Sequence, residues 1–464
     1  MDKIRYNWKF LISVSLVTAM GGLLFGYDWV VIGGAKPFYE PFFEITNSAA
    51  LQGWAMSCAL IGCLAGAILS GWLSDRFGRK KLLILSAGLF VVASIGTGAS
   101  GSFSSFIFFR ITGGIGIGLA SNLSPMYIAE ITPGNVRGRF VSINQLTIVI
   151  GILAAQLINW RIAQPVPSGA TITDIMVSWN GQMGWRWMFY ACTVPAGLFF
   201  ILMWFIPESP RWLAKNRINH PRVHKLLAKI GGNEYAVDEF SAIEETLRPV
   251  SAKTDLRLLK QTGLSKLLIL GIVIAIFQQW CGINVIFNYA QEIFSNAGYS
   301  ISDILFNIVV TGSVNLVFTF IGMFTVDKLG RKVLMLVGAS GLAGIFAVIG
   351  SMYYFNIQGL PLLIMVVLAI ACYAMSLAPV TWVILSEIFP NRIRGTAMSA
   401  ATFSLWAACF LLTYSFPLLN KLLKASGTFW LYSIICIMGF IFILKRLPET
   451  KGKSLEEIEH ELIK

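Results

Sequence analysis

Charge is scarce in this sequence. Only 13% of its 464 residues are Asp, Glu, Lys or Arg, while 56% are hydrophobic and the mean hydropathy is +0.70. A soluble core needs more charged surface than that, so lipid is the expected solvent for most of the chain. Histidine is scarcer still: His220, His224 and His460 all lie outside the apolar stretches. The absence of a Ser/His pair or a metal-ligand cluster at membrane depth argues against an intramembrane enzyme, and neither metal nor cofactor is expected. The seven cysteines (Cys58, Cys63, Cys192, Cys281, Cys372, Cys409 and Cys436) have neither metal spacing nor a paired arrangement, and read as small apolar packers. No small-residue cleavage site follows MDKIRYNWKF, so a first membrane span is expected there rather than a cleaved signal.

What is present is a series of apolar runs long enough to cross a bilayer. Twelve are expected, near 9–33, 50–72, 82–101, 104–127, 141–163, 186–206, 265–290, 304–326, 333–353, 359–386, 396–418 and 427–447. All but six of the 36 Lys and Arg lie at the termini or in the loops after even-numbered runs; the six are Lys36, Arg110, Arg161, Arg186, Lys421 and Lys424. That asymmetry predicts cytoplasmic termini, and it assigns the net charge of +13 to topology rather than to a nucleic-acid partner.

The loops repeat. DRFGRK (Asp75 to Lys80) returns as DKLGRK (Asp327 to Lys332), Glu130…Arg137-Gly138 returns as Glu387…Arg394-Gly395, and PESPRW from Pro207 is matched by PETKGK from Pro448. Three pairs in register, each about 250 residues apart, indicate two six-helix halves in the same orientation. The expected organisation is a bundle over 1–206, a charged cytoplasmic helical linker over 207–264, a second bundle over 265–447 and a cytoplasmic tail over 448–464, itself helical in SLEEIEHELIK. Asp75, Arg79, Glu130, Arg137 and Glu208, with Asp327, Arg331, Glu387, Arg394 and Glu449, are expected to form a charge network at the cytoplasmic ends. Ion pairs across the two halves would then hold that side shut in one state and break in the other. Single surface pairs contribute roughly 0–1 kcal/mol, so only a cluster can bias the equilibrium.

Two parallel six-helix repeats resemble the major facilitator plan. The motifs FGYD, GRK (twice), YIAE (Tyr127 to Glu130), RG (twice), PESPRWL, QQWCGIN (Gln278 to Asn284) and PETKG, in that order, resemble the sugar porter family over nearly the whole chain. Within it the sequence resembles the bacterial D-xylose/proton symporters more than the facilitative glucose carriers. The fold class so implied is an all-α membrane protein with twelve transmembrane helices in two bundles.

A sugar presents hydroxyls that donate and accept, on a ring with apolar faces, which suits amides beside flat aromatics. The runs supply Asn144, Gln145, Gln278, Gln279, Asn284, Asn288 and Asn315, with Trp382 and Trp406. On an ideal helix Gln279, Asn284 and Asn288 lie at roughly 100°, 240° and 280° from Gln278. One face cannot present all four, and Gly282 is the expected site of a break that gathers them. The resemblance implies sugar contacts at Gln145, Gln278, Gln279, Asn284, Asn315, Trp382 and Phe25, with Trp406 in the wall and Tyr289 at the outer gate. Four positions depart from the family pattern: Leu405 replaces an amide, Asn288 a Tyr, Ala378 a Gly, and Cys192 a Glu found in the xylose symporters.

In LLFGYDWVVIGGA a carboxylate, Asp28, sits where lipid-like residues surround it, and the other full charge deep in a run is Arg110. A buried charge requires a partner, a proton or water. Both residues belong in the outer half of their helices and are expected to pair. The resemblance makes Asp28 the proton-coupling acid and Arg110 its partner. The implied function is proton-driven import of a pentose or hexose by alternating access, with monosaccharide, proton and bilayer as the only partners, no cofactor, a functional monomer and a bacterial inner membrane. The rivals are a uniporter, which moves no proton, and a membrane sugar sensor, for which a longer cytoplasmic tail is expected.

Overall fold

The computed structural model describes residues 6–134, 136–167, 169–215, 220–247, 262–295, 300–389 and 394–451, and is helical throughout, with no strand among them. The long helices are α1 (Trp8–Phe42), α2 (Ala49–Phe77), α3 (Arg79–Ala99), α4 (Phe103–Ile131), α5 (Arg137–Ile162) and α6 (Asn180–Met203), then α7 (Leu264–Asn288), α8 (Ile301–Leu329), α9 (Arg331–Tyr354) and α10 (Leu360–Leu385). The last apolar helix, Arg394–Arg446, has 53 residues. At 1.5 Å per residue it would span about 80 Å, far more than a bilayer core. Lys424, at φ 59°, folds it into two arms, α11 (394–423) and α12 (425–446). Twelve crossings result, although only eleven separate helices are long and apolar enough among the described residues.

α1 to α6 pack as one bundle and α7 to α12 as another. Small residues set the closest crossings: at Gly26 of α1 an added Cβ would lie 1.9 Å from the Ile148 carbonyl of α5, and at Gly151 of α5 one would lie 2.0 Å from that of Leu23. Without a hydrophobic driving force between helices in lipid, backbone approach of this kind supplies the packing energy. The bundles meet through α2 against α11, α5 against α8, and α1 against the end of α7.

Several runs are interrupted. α6 begins with a wide turn at Asn180–Gly184, preceded by a short helix, Ile172–Val177, that the hydropathy pattern does not predict. α10 breaks at Ser376, and α7 breaks at Gly282, whose φ of 90° is left-handed. The linker forms helices Pro210–Lys215 and His220–Leu247, the latter turned at Gly232. Ile230 in it accepts a hydrogen bond from the Asn7 amide, so linker and N-terminus share one face, here the terminal side. The opposite face is the distal side. Residues 248–261 and the tail helix expected at SLEEIEHELIK lie outside the described residues.

Candidate functional site

The repeated loop motifs build the same device twice. Gly78 and Gly330, at φ 94° and 93°, turn the chain from α2 into α3 and from α8 into α9. The Glu208 carboxylate accepts from the Arg79 and Lys80 amides at the start of α3, and Glu449 accepts from those of Arg331 and Lys332 at the start of α9. An anion there satisfies orphan amides and meets the positive end of the helix dipole. Arg79 pairs with Glu130 at 2.9 Å and Arg331 with Glu387 at 3.1 Å, while Ser209 donates to Glu130 and Thr450 to Glu387. Burial pushes the Glu208 carboxyl up despite its amide donors; in the more open Glu449 burial acts the same way, but four amides outweigh it and hold the group below its usual range. Asp75 pairs with Lys215 at 3.0 Å and lies 3.6 Å from Arg79.

Among the described residues the expected latch, held in one state and broken in the other, is not closed across the two halves. Arg79–Glu130 and Arg79–Asp75 lie within the first bundle and Arg331–Glu387 within the second, while Asp75–Lys215 joins the first bundle to the linker helix. Arg137 makes no ion pair among the described residues, and the side chains of Asp327 and Arg394 lie outside them. Among the described residues the ion pair that crosses between the bundles is at the distal side, where Lys36 of α1 donates to Glu292 of the short helix Ala290–Ser295. Sequence reasoning missed it because the first apolar run appeared to end before Lys36. α1 instead continues to Phe42, burying Lys36 and Glu40 at 1% and 6% exposure. Two opposite charges four residues apart were the available signal.

At the break in α7, the amides form a chain. Gln278 donates to the Tyr373 hydroxyl of α10 at 2.7 Å, Gln279 donates to Gln278, and Asn284 donates to Gln279 across the turn at Gly282. All three are buried. Asn288 is not in the chain; its carbonyl lies against Gly33 of α1, toward the distal seal. Asn315 of α8 is buried, Gln145 of α5 is half-buried, and Trp382 of α10 is the most open of these residues at 38%. Phe25 and Trp406 bring the bundles together with ring centroids 5.6 Å apart, and Trp29 closes an aromatic triangle 6.0 and 6.2 Å from them. Tyr373 and Trp29 were not singled out from the sequence, since neither an aromatic hydroxyl nor a lone Trp in an apolar run is distinctive. Leu405 is buried, and Ala378 sits within α10 just past its break. Tyr289 is fully buried, donates to the Thr413 carbonyl at 2.7 Å and lies beneath the Lys36 ammonium, 5.4 Å from its ring centre.

Asp28 and Arg110 meet through one contact, Nη1 to Oδ1 at 2.6 Å, with 7% and 4% exposure. The pairing is not the bidentate fork an arginine can make: Asp28 Oδ2 and Arg110 Nε are buried without a hydrogen-bond partner. One carboxylate oxygen therefore remains free. All seven cysteines are free thiols, and no group of three metal-ligating side chains occurs among the described residues.

A two-bundle, twelve-crossing architecture with a discontinuous α7 at its midplane is that of a major facilitator transporter, and the chain belongs to the Sugar (and other) transporter family, whose profile matches residues 14–462. It is similar to the D-xylose-proton symporter of Escherichia coli (strain K12), with 38% identity over 98% of this chain and 96% of that one, and to the arabinose-proton symporter of Bacillus subtilis, with 37% identity over 99% and 96%. Among solved structures, the inward open conformation of the E. coli xylose transporter XylE aligns with a TM-score of 0.84 at 36% identity, covering 97% of this chain and 100% of that one. This chain is thus a multi-pass membrane transporter.

Proposed function

We propose that this chain imports a monosaccharide, a pentose such as D-xylose or a hexose such as D-glucose, together with a proton by alternating access. Its relatives are named for sugar and proton together. The observation that carries the reading is the one-point Asp28–Arg110 pair, a buried acid with an oxygen to spare. A static structural pair gains most from two-point contact; a pair that must separate and take up a proton is better served by one. The amide chain of Gln278, Gln279 and Asn284, with Gln145, Asn315 and Trp382 around it, is the neutral sugar chamber, and Phe25 and Trp406 supply its apolar faces. The terminal side is cytoplasmic, in agreement with its basic loops, so the closed distal side faces outward and the state described is inward-facing. The membrane is a bacterial inner membrane, and one chain with both bundles acts as a monomer.

The test is uptake of labelled xylose and glucose, each competed by the other, into proteoliposomes with an imposed proton gradient. Accumulation above equilibrium, abolished by a protonophore, is expected. Equilibration alone would make the chain a uniporter, and specific binding without flux would make it a sensor.

A further inference from the structure

The distal seal holds more acid than base. Lys36 and Glu40 stand one turn apart on α1 with Nζ and Oε1 3.0 Å apart, and Glu292 reaches the same ammonium from the other bundle. Two carboxylates share one cation. Glu292 accepts the hydrogen bond from Lys36, whereas Glu40 Oε1 has no aligned donor and its Oε2 is 3.4 Å from the Gln52 amide. Glu292 Oε2 is likewise buried without a partner. Among the described residues the surrounding groups do not neutralise the excess. The Tyr39 hydroxyl is directed to Met56 Sδ, the Tyr289 hydroxyl to the Thr413 carbonyl, and Arg110 on α4 is engaged by Asp28. A surplus negative charge withdrawn from water costs several kcal/mol unless it is cancelled.

We propose that Glu40 is a second proton-binding site, loaded when the distal side closes and emptied when it opens. With Lys36 and Glu292 paired, a proton on Glu40 makes the closed cluster neutral. When the bundles part at this side, water reaches the carboxylates and the need for the proton disappears. The proton enters and leaves on the same side, so it is not carried across and adds nothing to the stoichiometry set by Asp28. Its effect is on the gate: acid favours the closed distal side, and the closed-to-open ratio changes by up to about tenfold per pH unit while Glu40 titrates. The inference rests on the alternating-access reading but does not depend on Asp28 being the coupling acid.

The experiment is a spin-label distance measurement between cysteines introduced at Leu51 and Leu422, exposed residues at the distal ends of α2 and α11, in the full chain in nanodiscs between pH 5 and 8. The short, closed distance is expected to dominate at low pH and to give way as pH rises. Glu40→Gln is expected to stay closed at every pH. Glu292→Gln, which leaves one acid for one base but removes the link between bundles, is expected to be more open yet equally flat. A wild-type response in either glutamate variant overturns the proposal. A response present in protein that moves no sugar would instead overturn the transport reading alone.

Discussion

Replacing Asp28 with Asn tests the coupling of proton to sugar. The change keeps the shape and the oxygen that meets Arg110 Nη1 at 2.6 Å, but removes the negative charge and the free Oδ2 that could take up a proton. Arg110, 4% exposed, then loses its counter-ion and is expected to destabilise the bundle. Removing one member of a buried pair costs on the order of 3–5 kcal/mol, with Asn's retained acceptor placing this variant toward the lower end. The transport consequence is larger in kind. A proton crossing 100 mV supplies about 2.3 kcal/mol, enough for about fiftyfold accumulation, and each pH unit of gradient adds about tenfold. The variant is expected to reach an inside-to-outside ratio of about one under any gradient. It should still exchange labelled for unlabelled sugar across preloaded vesicles, because the amide chain and aromatic walls are untouched. Uptake against a gradient and counterflow, measured on the same preparation, separate these outcomes. Accumulation at the wild-type level in Asp28→Asn would refute the reasoning; loss of both activities would show that Asp28 acts on folding or binding.

Gln279→Ala, which breaks the amide chain in the middle, is expected to weaken sugar binding by about 5- to 150-fold, as loss of a buried hydrogen-bonding group costs roughly 1–3 kcal/mol; equilibrium binding of labelled sugar measures it. Gly53→Leu places a side chain where even a Cβ would lie 2.5 Å from the Tyr414 carbonyl of the other bundle, so it should wedge the distal side open and raise labelling of a cysteine placed at Asn288 by a membrane-impermeant thiol reagent. Gly78→Val combines a left-handed φ of 94° with a Cβ 2.2 Å from Glu208 Oε2, and is expected to lower the thermal midpoint in detergent by several degrees, whereas Gly71→Ala, with open space around it, should leave it unchanged.

Much of this protein was determined locally, and so could be read along the chain. Hydropathy set the crossings, the basic loops set their expected direction, and the paired motifs around Gly78 and Gly330 announced two halves, because each depends on a few neighbouring residues meeting lipid or water. Gly282 was legible for the same reason: a glycine between amides that cannot share one helical face marks a break. Tertiary structure alone decided which charges meet. The sequence left open which arginine meets which glutamate at the terminal side; in the fold Arg79 meets Glu130 and Arg331 meets Glu387 within their own bundles, while Glu208 and Glu449 hold helix starts. Lys36 and Glu40 looked like the end of a span until the other bundle supplied Glu292. An ion pair depends on distances of a few ångströms between residues hundreds of positions apart, and only the packed helices fix those.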